Sequence, residues 1–189
     1  MKRILSFLGL ILSLSLLLSA CGQTTDTDGL PNKIIIKIQE FGEIYAELYP
    51  EEAPITVANF KKLVNEHYYD GLTFHRVIKN FMIQGGKGTE VDSIKGEFSA
   101  NGTQNDLKHL RGTLSMARAT DYNSASAQFF ICQRAYAYGD GYYAAFGKVT
   151  GGMEVVDRIA SVETDSSDAP LTPVTVSYTH LRAHETRHD

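Results

Sequence analysis

Three segments of the chain concentrate the side chains that could bind or transform a ligand. They read F-H-R-V-I-K-N-F-M-I-Q-G-G at 74–86, G-T-L-S-M-A-R-A at 112–119 and N-S-A-S-A-Q-F-F-I at 123–131. Arg76 carries a charged guanidinium with its N–H groups in a rigid fork. Taken singly, such an arginine is usually a solvent-side charge of a strand, and phenylalanine or methionine is usually core. Only the joint pattern of the three segments argues against these ordinary roles.

The elements that must position these segments are mostly short strands. A hairpin is predicted over residues 33–48, where a β-branched run and an alternating run flank Phe41-Gly42. Further strands are predicted at 72–78, 82–84, 113–117, 128–133, 144–149 and 174–176. Helices are predicted from Pro54 to about Tyr69 and from Met153 to Ile159. The glycine-rich stretch 85–112 is predicted to be a long functional loop. Many short antiparallel strands with few helices favour a mainly β fold closed into a barrel.

In their order and spacing, the three segments, continued by F-G-K-V at 146–149, resemble the cyclophilins. These are peptidyl-prolyl cis-trans isomerases (EC 5.2.1.8), and the resemblance covers residues 33–176. It implies a closed eight-stranded antiparallel β-barrel capped by two α-helices. It also implies an enzyme that acts on proline-containing polypeptides with no metal and no other cofactor.

The resemblance assigns roles to individual residues. Arg76 matches the catalytic arginine, which reaches the carbonyl and the imide nitrogen of the proline. The expected substrate-binding residues are Phe81, Met82, Gln84, Ala117, Arg118, Ala119, Gln128, Phe130, Tyr138 and Tyr143. The two phenylalanines and the methionine match the proline pocket, and the two glutamines match polar residues that orient the arginine and the substrate backbone. His75 alternates away from Arg76 and is predicted to be structural.

Four positions depart from the best-known pattern of the family. Tyr138 stands where many cyclophilins carry tryptophan, and Tyr143 where many carry histidine. Gly139 replaces a common apolar residue, and Arg118 replaces a common asparagine. Loss of the indole N–H predicts only weak inhibition by cyclosporin.

The first 20 residues have the pattern of a signal peptide. Lys2 and Arg3 precede an apolar run that ends at Leu18-Ser19-Ala20-Cys21, a sequence that resembles the bacterial lipobox. It predicts cleavage before Cys21, lipidation of this cysteine, and a bacterial protein anchored outside the cytoplasm by its acyl chains. An ordinary secretory signal with an incidental cysteine remains the alternative. Residues 22–32 are predicted to be a flexible tether between Cys21 and the isomerase domain.

The segment 177–189 does not resemble a cyclophilin ending and is expected to be foreign sequence joined in place of the true end. His184 to His188 read H-E-x-x-H, the pattern of zinc metalloproteases. Only Asp189 follows, so no third ligand comes after the motif, and no metal site is predicted there.

Composition narrows the classes of partner. The formal net charge is −4, from 18 lysines and arginines and 22 aspartates and glutamates, which argues against a nucleic-acid binder. Cys132 is predicted to be a buried apolar residue, which has no disulfide partner in the chain if Cys21 is lipidated, and the protein is expected to be a monomer. The alternative function is a catalytically silent proline-peptide-binding or chaperone module on the same fold. Arg76 favours the enzyme, because a silent binder has little need for a charged donor beside the proline.

Overall fold

The computed structural model describes residues 32–182. Their elements, in chain order, are β1 (Lys33–Ile38), β2 (Gly42–Leu48), α1 (Pro54–Asn65), β3 (Arg76–Ile78), β4 (Met82–Gly85), β5 (Thr113–Met116), β6 (Phe129–Cys132), β7 (Ala145–Gly151), α2 (Met153–Ile159) and β8 (Val176–Arg182). The predicted signal peptide, Cys21, the tether up to residue 31 and the H-E-x-x-H segment lie outside the described residues. No helix within 32–182 has the length and apolarity to cross a membrane.

The strands form one antiparallel sheet in the order β3-β4-β6-β5-β7-β2-β1-β8. The prediction of a closed barrel is wrong, because β3 and β8 are edges of an open, curled half-barrel. The seam between them is crossed by the isolated bridge of Thr73 to Thr175 and by a few backbone hydrogen bonds, such as those from Gly71 to Val176 and from Phe74 to Val174, without a continuous strand pairing. Two factors keep the seam short. Only the last three residues of the predicted strand 72–78 pair with β4, and Pro170 and Pro173, which lack an N–H, interrupt the chain just before β8.

The central strands bury side chains on both faces of the sheet, and β5 and β6 are buried along their whole length. Alternate residues point to opposite faces. Val77, Ile83 and Ile131 face the main core. Met82 and Phe130 belong to a second, smaller cluster on the other face. This second face holds the candidate site.

Helix α1 begins at Pro54 without a side-chain cap from its own first residues. Its free N–H groups are instead bound by Glu97, from the long loop between β4 and β5. The two carboxylate oxygens of Glu97 accept the N–H groups of Ile55 at 3.0 Å and Thr56 at 2.8 Å. An anionic acceptor is favourable at a helix N-terminus. This contact ties the loop to the helix.

The last strand differs in position from the prediction. It was predicted over 174–176 and instead spans Val176–Arg182, in antiparallel register with β1. Thr179 is buried, and its N–H donates to Oδ1 of Asp70 at 3.0 Å. Residues 177–182 therefore take part in the fold, whereas the foreign origin of 177–189 stays a prediction.

Candidate active site

Four side chains lie in a row across four neighbouring strands. Arg76 on β3 stands opposite Gln84 on β4, which stands opposite Phe130 on β6, which stands opposite Ser115 on β5. Directly opposed residues of antiparallel strands share a face of the sheet. The register therefore brings a cation, an amide and an aromatic ring together on the second face.

The row lies along a cavity of about 290 Å³. The cavity is lined by Arg76, Phe81, Met82, Gln84, Ala117, Arg118, Phe130, Tyr136 and Tyr143. Met82 and Phe130 are almost fully buried and form an apolar surface with the partly buried rings around them. Such a lining suits a small apolar ring, and the polar groups beside it suit a peptide backbone.

A tight turn between β3 and β4 presents Phe81. Asn80 has a φ of 64°, a left-handed conformation that asparagine tolerates better than most residues. The N–H of Phe81 donates to the carbonyl of Ile78 at 3.0 Å. The carbonyl of Phe81 accepts the N–H groups of Gln133 and Arg134 at 2.8 and 3.2 Å. With its backbone fixed on both sides, the ring packs 4.8 Å from that of Tyr136 at the cavity.

The guanidinium of Arg76 is held by Asp168, which lies in the loop before β8. Nε of Arg76 donates to Oδ2 of Asp168 at 3.3 Å, and Nη2 lies 3.2 Å from the same oxygen. Beside the arginine, Nε2 of Gln84 donates to Oε1 of Gln128 at 3.0 Å. The two glutamines thus orient one another next to the cation.

Arg118 is bound within the protein. Its Nε and Nη2 donate to the carbonyl of Tyr142 at 3.1 and 3.0 Å. The centre of the guanidinium lies 4.6 Å from the centroid of the Tyr143 ring, 4.8 Å from that of Tyr122 and 5.4 Å from that of Phe98. These distances fit cation–π contacts. Arg118 thereby joins the loop after β5 to the loop that carries Tyr143.

Behind the cavity, His109 supports the aromatic wall. Its Nδ1 lies 3.0 Å from Oδ1 of Asp140, its Nε2 lies 2.9 Å from Oγ of Ser115, and its ring lies 6.0 Å from that of Phe130. Burial lowers the pKa of His109, although the hydrogen bond to Asp140 acts in the opposite direction. The imidazole has no exposed surface. This Ser-His-Asp chain is therefore closed to substrate and acts as support.

A profile of the family described as "Cyclophilin type peptidyl-prolyl cis-trans isomerase/CLD" matches residues 33–181. The chain belongs to the cyclophilin family.

Similar proteins agree with this membership. A peptidyl-prolyl cis-trans isomerase of Acinetobacter baylyi is 38% identical over 174 residues, which cover 86% of this chain and 92% of the relative. Peptidyl-prolyl cis-trans isomerase A of Dickeya dadantii is 37% identical over 187 residues, covering 93% of this chain and 95% of the relative. A cyclophilin-type isomerase of Cryptosporidium parvum, crystallised in the presence of the dipeptide Ala-Pro, has a TM-score of 0.73 at 29% identity, covering 80% of this chain and 99% of that one. The prediction of a peptidyl-prolyl cis-trans isomerase is confirmed.

Most of the predicted site residues meet at the cavity of this cyclophilin. Those that line it are Arg76, Phe81, Met82, Gln84, Ala117, Arg118, Phe130 and Tyr143. Gln128 stands behind Gln84, and Ala119 is exposed beyond the cavity. Tyr138 is 87% exposed and does not line the cavity. The individual roles of all these residues in substrate binding stay predictions.

Three residues at the site were not predicted. Tyr136 lines the cavity, His109 stacks behind it, and Asp168 holds Arg76. Each comes from an irregular segment without periodicity. For His109, the signal available in the sequence was its position a few residues before a predicted strand, which does not distinguish a buried support from a loop residue.

The site contains no activated thiol among the described residues. Burial raises the pKa of the Cys132 thiol to about 12, which keeps it protonated and unreactive at neutral pH. Within residues 32–182, no group of three histidine, cysteine, aspartate or glutamate side chains could hold a metal ion.

Proposed function

We propose that this protein isomerises X-Pro bonds of secreted and envelope polypeptides, with Arg76 as the catalytic donor and a lipid on Cys21 as the anchor. The observation that carries the proposal is the cross-strand row in which Gln84 separates Arg76 from Phe130. It sets a charged donor in the same cavity as the apolar side chains of Met82 and Phe130.

The reaction requires no bond to be broken. Resonance opposes rotation about a peptide C–N bond by about 18–20 kcal/mol. X-Pro bonds have nearly balanced cis and trans forms but exchange over tens to hundreds of seconds. A catalyst must therefore bind the twisted amide, in which the nitrogen is pyramidal and the carbonyl is no longer conjugated with it, more tightly than the planar forms.

The geometry suits that task. The cavity floor of Met82 and Phe130 can hold the proline ring, which has no N–H to satisfy. Arg76 can then donate to the proline's carbonyl and to the imide nitrogen as its lone pair becomes available. Because the guanidinium is oriented before the substrate arrives, little reorganisation is needed during the twist.

A line-shape or exchange NMR assay on an Ala-Pro peptide tests this mechanism, with the full chain kept in detergent. Arg76→Ala should lower kcat/KM on the order of 100-fold, the loss typical of removing one preorganised donor. Arg134→Ala is the matched control, because Arg134 is exposed and lies outside the cavity lining. It should leave the rate unchanged.

Two results would contradict the proposal in different ways. Equal rates from Arg76→Ala and the unchanged protein would remove the arginine from the mechanism. Peptide binding with no acceleration by the unchanged protein would favour the alternative, a silent proline-peptide-binding or chaperone module.

The anchor rests on the sequence around Cys21 and has its own test. Cells that express the full chain should incorporate labelled palmitate into it and hold it in the membrane fraction. A Cys21→Ser variant should lose the label. An unlabelled, released parent protein would instead favour an ordinary secretory signal.

A monomer is the proposed oligomeric state, since one chain supplies the whole lining of the cavity.

A further inference from the structure

We propose that Asp168 is a positioning residue for Arg76, an inference that rests on the catalytic role proposed above for this arginine. One carboxylate oxygen of Asp168 faces both Nε and Nη2 of Arg76, at 3.3 and 3.2 Å. A guanidinium is planar and carries its five N–H groups in a fixed fork. Once the edge with Nε and one Nη2 hydrogen faces Asp168, the remaining N–H groups of Nη1 and Nη2 are left for the substrate.

The backbone of Asp168 is fixed to the strand that carries Arg76. Its carbonyl accepts the N–H of Val77, the next residue after the arginine, at 2.8 Å. The loop around it is built on Asp165, whose Oδ1 accepts the N–H groups of Ser167 and Ala169 at 2.8 and 2.9 Å. The N–H of Asp168 donates to the carbonyl of Asp165 at 3.1 Å. The carboxylate is thus presented to the guanidinium from a defined place.

The backbone conformation of Asp168 permits its side chain to be removed without added strain. Asp168 has a φ of 65°, in the left-handed region where glycine is the least strained residue. Among the described residues, seven glycines and four other residues, Asp168 included, have a positive φ. A glycine at this position would relax the backbone, so its effect on activity would report the loss of the carboxylate.

A contribution to the stability of the fold is a weak explanation for the ion pair of Arg76 and Asp168. The side chains of Arg76 and Asp168 are 42% and 41% exposed, so water screens their attraction. Exposed ion pairs contribute little to the free energy of unfolding. Fixing the direction of a reacting group, in contrast, strongly affects rate even when affinity is unchanged.

The left-handed φ allows a clean experiment on the full chain. Asp168→Gly removes the carboxylate while relaxing the backbone, and Asp168→Asn keeps the shape and one oxygen acceptor but loses the charge. Glu40→Gly is the matched control, because Glu40 is exposed and has a φ of 62°. Isomerisation of an Ala-Pro peptide is measured for each protein, and in parallel for Arg76→Ala and for the double variant Asp168→Gly/Arg76→Ala.

We expect Asp168→Gly to lower kcat about tenfold with little change in KM, because a misplaced group can cost up to about 100-fold. Asp168→Asn should recover part of the loss, and Glu40→Gly should match the parent. The double variant should be no slower than Arg76→Ala alone, since a residue that acts through the arginine has no effect without it. A purely structural contribution would instead add to the loss.

Asp168→Gly with unchanged or increased kcat would overturn the inference, as would additive losses in the double variant. Full activity of Arg76→Ala would be a different failure, since it would remove the proposed role of the arginine itself.

Discussion

The guanidinium of Arg118 lies 4.6 Å from the centroid of the Tyr143 ring and donates two hydrogen bonds to the carbonyl of the preceding residue, Tyr142. The sequence predicted Arg118 as a contact for substrate. In the structure, its donors are already engaged with the protein. Arg118 also lines the cavity, and we expect part of its effect there to pass through Tyr143.

Arg118→Lys tests this relationship. A lysine cannot form the same fork or stack flat on the rings, so the free energy of unfolding should fall by about 1 kcal/mol. KM for a proline peptide should rise as Tyr143 loosens. Urea unfolding and steady-state kinetics measure the two effects. Arg134→Lys, at an exposed position, is the control and should change neither. A loss of activity at unchanged stability would point to direct substrate contact instead.

Tyr136 and Tyr138 form a natural pair for mutation. Tyr136 packs 4.8 Å from Phe81 in the cavity, whereas Tyr138 is 87% exposed. Tyr136→Ala should raise KM about three- to tenfold, because an aromatic pair is worth about 0.5–1.5 kcal/mol beyond its buried area. Tyr138→Ala should change KM less than about twofold. The reverse order of effects would restore the predicted role of Tyr138 in substrate binding.

The free energy of unfolding should fall with acidification below about pH 6.5, the ordinary pKa of histidine. Burial lowers the pKa of His109 in the folded protein, so the unfolded chain takes up a proton there that the folded chain does not bind. The stability is complete above the unfolded pKa and is lost as pH decreases through and below it. Urea titrations at pH 7 and pH 5 measure the slope. His109→Gln should flatten it, and burial of His75 leaves a remaining slope of the same sign. An unchanged slope in His109→Gln would contradict this assignment.

Glu97 should be among the more sensitive positions outside the site. Glu97→Ala leaves the buried N–H of Thr56 without its acceptor, and hydrogen bonds to charged groups contribute about 1.5–3 kcal/mol. The melting temperature should fall accordingly. Glu90→Ala, at an exposed loop position, should leave it unchanged. Equal melting curves for the two variants would show that the helix start does not depend on the long loop.

Two deletions at the C-terminus compare the contribution of β8 to stability with that of the residues after it. Removing 179–189 deletes the part of β8 that includes buried Thr179 and should cost about 2 kcal/mol or more of unfolding free energy. Removing 183–189 leaves the whole strand and should cost much less. Equal stability of both shortened proteins and the parent would support the expectation that the segment from residue 177 onward is unrelated to the domain.

The parts of the fold that follow from periodicity were predicted well. Helix α2 has the predicted limits, and the hairpin of β1 and β2 falls within residues 33–48. The seam was not predictable, because residues 72–75 have a strand pattern but bond to the segment before β8 instead of extending the pairing with β4.

The candidate site likewise has residues that the sequence predicted and residues that it did not. Arg76 and Phe130 lie in strands whose register brings them together, so a compact motif identifies them. Asp168 lies 92 positions from Arg76 and Glu97 lies 41 from Thr56, both in irregular loops. Their partners depend on the path of those loops, which leaves no local signature in the chain.

Asp70 affects how readily the β8 edge of the sheet could pair with other polypeptide chains. Its carboxylate accepts the N–H of Thr179 on β8, which is an edge strand of the sheet. That N–H is therefore not free to pair with a strand from another molecule. Edge strands with unpaired backbone groups can pair with other chains and cause aggregation. Because the substrates of a prolyl isomerase include extended polypeptides, we infer that this carboxylate lowers the tendency of β8 to pair with them.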